Sequence, residues 1–235
     1  MSNKETSGAK QGPFKLYIVR ISPCCRVVWM YLLQNNLPVE LVDVDVFEGE
    51  HKQPSFTSLN PHQEVPVLVD GKTSVFEGIA ILTYLAQKYT NYAGWGKTPI
   101  EKNSVLSVLD WACFDLHRVL GYKYIYPHFL EKYHLKTHDD TETMVEKGAE
   151  DVTKHLELME NFYLKKNPYL CGTELTIADT YVATILSQSE WLEFDLGLWP
   201  KVAAWFRKVK EQEHWKTVHE KHDEFLYKLR KCPHD

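Results

Sequence analysis

The apolar positions near the start of the chain follow two different periods. Residues 14–20 and 39–46 carry apolar side chains at alternating positions, as strands do, whereas residues 24–36 between them repeat with the period of a helix. Asn36 and Pro38 favour termination of that helix. A strand, a crossover helix and a second strand form a βαβ unit, which predicts a parallel pair with a right-handed crossover.

A second pair of strands is predicted further along the chain. Short apolar runs at residues 67–69 and 73–76 flank an Asp-Gly pair, which is a strong hairpin signal, so these strands are expected to be antiparallel. Residues 77–89 place their apolar side chains on one face of a predicted helix. Residues 14–90 are therefore expected to form a compact domain of sheet and helices.

The pattern changes after this domain. Residues 91–100 contain two glycines and a proline without periodicity, which is typical of a linker. The rest of the chain shows only helical periodicity, in segments near residues 101–133, 141–166, 177–190, 200–212 and 214–229. We therefore expect two packed domains, α/β over residues 14–90 and all-helical over residues 101–230.

The charge balance excludes some classes of partner. The chain has 27 Lys plus Arg against 32 Asp plus Glu, and its net charge of -5 provides no field that attracts phosphate backbones or anionic lipid. We therefore expect neither nucleic acid nor a membrane as a partner. No apolar run approaches the roughly 20 residues that span a bilayer, and residues 1–13 are polar, so we expect a cytoplasmic protein.

The cysteines and histidines show no metal-binding pattern. The five cysteines are odd in number and lack paired C-x-x-C spacing, so reduced thiols and no metal are expected. His214, His219 and His222 share one predicted helical segment without the supporting spacing of a metal site. We expect these three histidines on a solvent-exposed helical surface.

Five short motifs carry a family resemblance. They are SPCCR at 22–26, GEHK at 49–52, NPHQEVPVL at 60–68, FEGIAI at 76–81 and LTIAD at 175–179. In this order and at these separations the sequence resembles the cytosolic glutathione transferases over about residues 14–230. Its details are similar to the theta-like and delta-like classes, which use a serine near the first helix.

The resemblance implies a fold and an activity. It implies the glutathione transferase fold, with a thioredoxin-like α/β N-terminal domain that binds glutathione and an all-α C-terminal helical domain that lines an electrophile pocket. It implies an enzyme that activates the glutathione thiol as the thiolate and conjugates it to small hydrophobic electrophiles, which is a detoxification reaction. Glutathione is then a co-substrate, and the relatives are homodimers.

Ser22 stands before Pro23 at the predicted start of the first helix. Spacing alone leaves two interpretations equal, an N-cap without chemistry or a hydroxyl that donates to the glutathione sulfur. The resemblance assigns the second, catalytic role. Such a hydrogen bond and the helix N-terminus together could lower a thiol pKa of about 8.5 by about two units, which makes the thiolate dominant at neutral pH.

Cys24 and Cys25 offer an alternative chemistry. A cysteine beside a helix N-terminus can have a depressed pKa and form a mixed disulfide with glutathione, which gives thiol transfer, as in omega-like relatives. Counting back from Arg26 places Cys25 toward the domain interior. The other interpretation of both cysteines is an inert, buried thiol.

A second group of residues resembles the family's glutathione-binding loops. Val65-Pro66 resembles the cis-proline turn of the thioredoxin fold, which leaves the backbone of the preceding residue free to pair with an extended peptide. A proline that merely opens a strand is the alternative. The resemblance implies that His51 and Lys52 contact the glycyl carboxylate of glutathione, although such a pair is often simply solvated. Gln63 is a further candidate for that end of the ligand.

Glu77 and Gly78 begin the predicted helix that follows the hairpin. The resemblance assigns Glu77 to the γ-glutamyl amino group, and the alternative is a carboxylate that complements the helix dipole. The relatives usually follow this acid with a serine that contacts the ligand carboxylate, so Gly78 implies one lost hydrogen bond or another donor. Gly78 therefore keeps open a third function, a noncatalytic interaction module.

The electrophile pocket is expected against the helical domain. The aromatic-rich segment 111–129 is its candidate wall, with Phe114, His117, Arg118 and Tyr122 as candidate pocket residues. Aromatic residues at helical spacing are alternatively core residues. In theta-like relatives an arginine of this helix approaches the thiolate, and the register places His117 there with Arg118 beside it.

Overall fold

The N-terminal part contains a single mixed sheet. The computed structural model describes residues 13–231, in which four strands lie in the order β2-β1-β3-β4, with bounds β1 Phe14–Ile18, β2 Val39–Asp43, β3 Val67–Asp70 and β4 Thr73–Phe76. Strand β1 pairs with β2 in parallel and with β3 antiparallel, and β3 pairs antiparallel with β4. The predicted βαβ unit and hairpin are therefore confirmed.

Helices make up most of the remaining structure. Within residues 13–231 the α-helices are α1 Pro23–Gln34, α2 Pro54–Thr57, α3 Gly78–Leu85, α4 Pro99–Trp111, α5 His138–Leu158, α6 Ile177–Leu186, α7 Pro200–Lys210 and α8 Trp215–Lys231. Two π-helical segments, Ala112–Leu116 and Arg118–Ile125, continue the path of α4. Helices α4 to α8 contain no strand between them, as predicted. No helix in the described part of the chain is both long enough and apolar enough to cross a bilayer.

Helix α1 lies between the sheet and the helical domain. Pro23 occupies its first turn, where the fixed φ of proline suits a helix start. The buried residues of α1 are not confined to one stripe, because the helix contacts α3 on one side and α6 and α8 on the other. Arg26 is fully buried and donates a hydrogen bond to Ser187 Oγ at 3.1 Å, which links α1 to the segment after α6.

The histidines of α8 are a correction to the sequence analysis. His219 and His222 are buried, not solvent-exposed, whereas His214 precedes the helix. The His219 ring stacks on Trp215 with ring centroids 3.8 Å apart, and Trp191 Nε1 donates to His222 Nε2 at 3.0 Å. The prediction was wrong because α8 packs this face onto α1 and onto the segment after α6.

The linker is bonded to the helical domain. The backbone amide of Ile177, the first residue of α6, donates to the carbonyl of Gly94 at 2.9 Å. Trp95 is buried, and Gly96 has a φ of 85°. A Cβ on Gly96 would lie 2.6 Å from the Cβ of Glu101, so only glycine fits here. Helix α4 begins at Pro99, inside the predicted linker.

Asp179 holds the start of α6. All ten residues of this helix are buried. The Asp179 carboxylate accepts hydrogen bonds from the Thr176 amide and hydroxyl, both at 2.9 Å, from the Leu170 amide at 2.8 Å and from Trp205 Nε1 at 2.9 Å. The predicted helix start at Thr176 with an acid three residues later is confirmed. Asp179 therefore joins α6 to α7 and to the preceding loop.

We predict that Asp179→Ala lowers the free energy of unfolding by at least about 3 kcal/mol, because it leaves several buried donors without an acceptor. Chemical denaturation measures the change. Glu101→Ala is the matched control, since Glu101 accepts from the Thr98 and Lys97 amides at the exposed start of α4. Its expected loss is about 0.5–2 kcal/mol. Equal losses for the two variants would contradict the assigned role of Asp179.

Candidate active site

Ser22 is the N-cap residue of α1, with an extended backbone. Its side chain makes no capping hydrogen bond, so the hydroxyl does not serve the helix in the way an ordinary N-cap serine does. The half-buried side chain instead hydrogen-bonds with the Cys25 thiol. The Ser22 carbonyl accepts from the Arg26 amide at 3.0 Å, but the Ser22 hydroxyl caps no amide group of the first turn of α1.

The two cysteines after Ser22 have different surroundings. Cys25 is fully buried, and burial raises the pKa of its thiol to about 11, although hydrogen bonds with Ser22 and the Val19 backbone act in the opposite direction. Cys24 is partly exposed and reaches the helical domain. Burial of its sulfur raises the pKa of the Cys24 thiol to about 12. Both thiols are therefore protonated at neutral pH, and Cys24 lies where the two domains meet, beside His117 and Tyr181.

His117 is the helical-domain residue that meets Cys24. Its Nδ1 lies 3.9 Å from Cys24 Sγ, and its Nε2 lies 3.1 Å from the hydroxyl of Tyr126. His117 is nearly buried, and burial lowers the pKa of its imidazole to about 4. Gln188 Nε2 donates to the same Tyr126 hydroxyl. This wall of the cleft is therefore a neutral hydrogen-bonded chain.

The other predicted pocket residues lie further out. The Tyr122 ring packs edge-on against His117, with centroids 5.3 Å apart, and burial raises the pKa of its phenol. Phe114 is 69% exposed, and Arg118 is also exposed. The sequence analysis placed His117 beside the first helix, with Arg118 next to it. In the structure His117 is the residue that contacts Cys24. Pocket roles for Phe114, Arg118 and Tyr122 remain predictions.

Glu77 has an unusual backbone at the start of α3. Its φ of 69° and ψ of 123° are rarely adopted by a residue with a side chain, and such conformations cluster at binding sites. Its exposed carboxylate pairs with His62 Nδ1 at 3.0 Å. A Cβ placed on Gly78 would lie 3.8 Å from Cys24 Cβ and 3.9 Å from the Tyr181 hydroxyl. Gly78 therefore has room for a small side chain.

His51 and Lys52 lie in a short helical turn at Glu50–Lys52 that the sequence did not predict. His51 Nδ1 is shielded from solvent and has no hydrogen-bond partner among the described residues. Burial and the charges of Lys52 and Lys132 lower the pKa of His51. Lys132 belongs to the helical domain, so cationic groups of both domains surround one imidazole.

The loop before β3 has the predicted proline geometry. The Val65-Pro66 peptide bond is cis, and this prediction is confirmed. Gln63 has a φ of 60° and an exposed side chain. The Asn60 side chain donates to the Glu64 carbonyl at 2.8 Å, which holds the loop in place. The binding roles of Gln63, Val65 and Pro66 remain predictions.

Tyr181, which lies beside Cys24, was missed from the sequence. The Tyr181 hydroxyl lies 3.8 Å from Cys24 Sγ and also hydrogen-bonds with Cys113. Burial raises the pKa of Tyr181 well above its ordinary value, so the hydroxyl keeps its proton. The only signal in the sequence was a tyrosine within an otherwise largely apolar helix, and this pattern does not show which way the side chain points.

Another part of the surface has metal-ligating side chains. His138, Asp139 and Glu142 lie at the start of α5 with potential ligand atoms within 4.8 Å of one another. All three are exposed, and none of them belongs to the residues that converge on Cys24.

Fold and cleft together define a class of protein. A thioredoxin-like sheet domain with a cis-proline loop, a helix start bearing Ser22 and a helical second domain are the parts of a glutathione-dependent transferase. The family model "Glutathione S-transferase, N-terminal domain" matches residues 16–93, and "Glutathione S-transferase, C-terminal domain" matches residues 121–213.

Known proteins agree with this class. Human glutathione S-transferase theta-1 is 31% identical over 204 residues, which is 83% of this chain and 82% of that protein. Dichloromethane dehalogenase of Methylophilus leisingeri is 31% identical over 200 residues, covering 83% of this chain and 74% of the relative. A delta-class glutathione transferase structure from Nilaparvata lugens matches with a TM-score of 0.81 and 28% identity, over 94% of this chain and 99% of that one.

The chain therefore belongs to the glutathione S-transferase family. It is a glutathione transferase enzyme that conjugates glutathione to electrophiles. The noncatalytic alternative that Gly78 left open from the sequence is not favoured.

Proposed function

We propose that Ser22 holds the glutathione sulfur as a thiolate at the start of α1 and that small hydrophobic electrophiles react with it in the cleft. The observation that carries this proposal is the Ser22 hydroxyl, which makes no capping hydrogen bond although it stands at the N-cap. A hydroxyl donor and the positive end of a helix both stabilise an anion. Detoxification of such electrophiles is the physiological role that this chemistry supports.

The remaining parts of glutathione are assigned to the N-terminal domain. Glu77 binds the γ-glutamyl amino group, in the place where its carboxylate pairs with His62. The backbone of Val65, before Pro66, pairs with the cysteinyl part of the tripeptide. His51, Lys52 and Gln63 bind the glycyl carboxylate, and the unpaired His51 Nδ1 supports this assignment.

The electrophile pocket takes its character from the helical wall. Phe114, His117, Arg118 and Tyr122 line it in this proposal, and Tyr122 and His117 are neutral at the pH of the cell because burial shifts the pKa of each toward its uncharged form. The neutral rings of Phe114, His117 and Tyr122 favour small apolar substrates, and the charged Arg118 lies at the exposed edge of this wall. The described cysteines Cys24, Cys25, Cys113 and Cys171 are free thiols, which suits a cytoplasmic enzyme.

We predict that Ser22→Ala lowers kcat with an aryl halide about 10- to 100-fold, because one hydrogen bond to a charged sulfur is lost. Glutathione affinity, measured by calorimetry, is expected to change far less. Cys24→Ser is the matched variant in the same helix turn and is expected to keep its turnover. Unchanged kcat in Ser22→Ala would remove Ser22 from the mechanism.

Thiol transfer by Cys24 is the second candidate function, favoured by the position of its sulfur in the cleft beside His117 and Tyr181. Thiol transfer is only the second candidate because the pKa of the Cys24 thiol is raised, whereas the reactive form is the thiolate. A Cys24 thiolate would then attack glutathione disulfide, form a mixed disulfide with one glutathione and release the other as its thiolate, and dithiothreitol would reverse the modification. Cys24→Ser would abolish the adduct, whereas Cys25→Ser would keep it.

Gly78 provides a test of the γ-glutamyl end. Because a Cβ at this position makes only ordinary contacts, we predict that Gly78→Ser folds normally and binds glutathione about tenfold or more tightly, through one added hydrogen bond to the ligand carboxylate. Gly78→Ala is the control, which adds the Cβ without the hydroxyl. If both variants bind equally, the ligand carboxylate does not lie at the start of α3.

We infer that the enzyme is a homodimer. Ile100, Ser104 and Ser107 follow one side of α4, and all three are exposed. Ser104 Oγ donates to the Ile100 carbonyl and Ser107 Oγ to the Asn103 carbonyl, both at 2.9 Å, so these hydroxyls are already paired. An uncharged surface with satisfied hydroxyls suits the self-complementary interface of a symmetric dimer.

For the dimer, we predict that sedimentation equilibrium gives a solution mass of two chains. Ile100→Glu is expected to weaken the association, because the substitution buries a charge in the interface. Leu198→Glu is the matched control, because Leu198 is 80% exposed and Ile100 is 77% exposed. A monomer in the unmodified protein, or equal effects of the two substitutions, would contradict this interface.

A further inference from the structure

Three side chains at the junction of α1, the segment after α6 and α8 are buried but incompletely paired. Arg26 and Gln188 are 0% exposed, and His219 is 1% exposed. Arg26 Nε and Nη1, Gln188 Oε1 and His219 Nε2 have no hydrogen-bond partner among the described residues. Buried polar groups are nearly always paired, either with protein or with ordered water. We call these three side chains the buried polar cluster.

The members of the buried polar cluster are close to one another. Arg26 Nη2 donates to Ser187 Oγ at 3.1 Å, and Gln188 is the next residue of the chain. Burial and the charge of Arg26 lower the pKa of His219. Because the effect of a charge falls off with distance, the guanidinium and this imidazole share one region. That region lies between the N-terminal domain and the helical domain.

The unpaired atoms divide evenly into donors and acceptors. Arg26 Nε and Nη1 carry protons and can only donate. Gln188 Nε2 donates to the Tyr126 hydroxyl, and its Oε1 is left as an acceptor. His219 Nδ1 lies 3.0 Å from the Trp215 carbonyl oxygen, which can only accept, so Nδ1 carries the imidazole proton. His219 is neutral because its pKa is lowered, and its Nε2 is therefore an acceptor.

The charges around the buried polar cluster are balanced without an added ion. Burial lowers the pKa of Arg26 to about 10, so the guanidinium is charged at neutral pH. The carboxylates of Glu190 and Asp223 act in the opposite direction on this pKa, although neither forms an ion pair with Arg26 in the described part of the chain. Lys210 pairs with Glu190, so two cations face two carboxylates.

This balance indicates what can occupy the buried polar cluster. An anion would face the two acceptors, and a cation would face the guanidinium. Water both donates and accepts, and a buried water molecule makes about two to four hydrogen bonds. One or two water molecules therefore match the unpaired donors and acceptors.

We propose that ordered water occupies the buried polar cluster, accepting hydrogen bonds from Arg26 Nε and Nη1 and donating to Gln188 Oε1 and His219 Nε2. This water joins α1 of the N-terminal domain to the helical domain through groups that do not bond directly. Because Gln188 also donates to Tyr126, the hydrogen-bonded connection continues to the wall of the cleft. The water is thus a structural part of the junction between the domains.

A high-resolution crystal structure of the full chain tests the site directly. We expect electron density for water within about 3.2 Å of an Arg26 nitrogen and of Gln188 Oε1 or His219 Nε2. Direct hydrogen bonds from Arg26 to these two acceptors, without water between them, would overturn the proposal. Crystals soaked in bromide are expected to give no anomalous signal in the cluster, and a signal there would assign the site to an anion instead.

NMR of the full chain tests the same site in solution. The Arg26 Nε proton is expected to show cross-relaxation with water although its side chain is fully buried. The Trp205 Nε1 proton is the matched control, because it is also buried but donates to Asp179 at 2.9 Å. We expect no water signal for Trp205. Absence of the signal for Arg26, or equal signals for both protons, would contradict a bound water.

A double-mutant cycle measures whether the two sides of the junction share this water. Chemical denaturation of Arg26→Met, Gln188→Met and the double variant is expected to give a combined loss smaller than the sum of the single losses, because each change removes bonds of the same water. Arg26→Met combined with Thr153→Ala is the control, since Thr153 bonds the Ala149 carbonyl within α5, and additive losses are expected. Additive losses for Arg26 and Gln188 would overturn the shared site. If a variant does not fold, the crystal and NMR measurements on the unmodified chain still decide.

Discussion

The buried carboxylate of Asp179 is the constraint on which the rest of the structure depends. Three donors from the segment before α6 and one from α7 converge on it. Burial nevertheless raises the pKa of Asp179, because desolvation outweighs these hydrogen bonds. Helix α6 is buried throughout and contacts α1, so the start of α6 fixes the relation between the sheet domain and the helices. Tyr181 reaches Cys24 from this helix.

The cleft is chemically uniform because its polar groups are buried together. Desolvation disfavours the charged form of every group, and it therefore keeps Cys24 as a thiol, His117 as a neutral imidazole and Tyr181 as a phenol. Hydrogen-bond donors of this kind stabilise an anion without bringing a charge of their own.

Local patterns in the sequence were sufficient for the four strands, the longer helices, the hairpin, the cis-proline loop and the start of α6, but not for the short helices at Glu50–Lys52 and Pro54–Thr57. The wall of the cleft was predicted only in part, because the segment with His117 and Tyr122 is π-helical and does not keep the 3.6-residue period used to assign its faces. Contacts between distant segments gave no local signal. The sequence did not predict the surroundings of Tyr181, Gln188 and the buried His219, because these surroundings depend on how the helices pack.

The junction between the domains has a consequence for domain motion. Gly94 is bonded to the first residue of α6, and Gly96 packs too closely on Glu101 for any other side chain. The linker is therefore held in place by packing and does not act as a flexible hinge between the two domains. A change in the relative position of the two domains would have to break the hydrogen bond between Gly94 and Ile177 and move Gly96 away from Glu101.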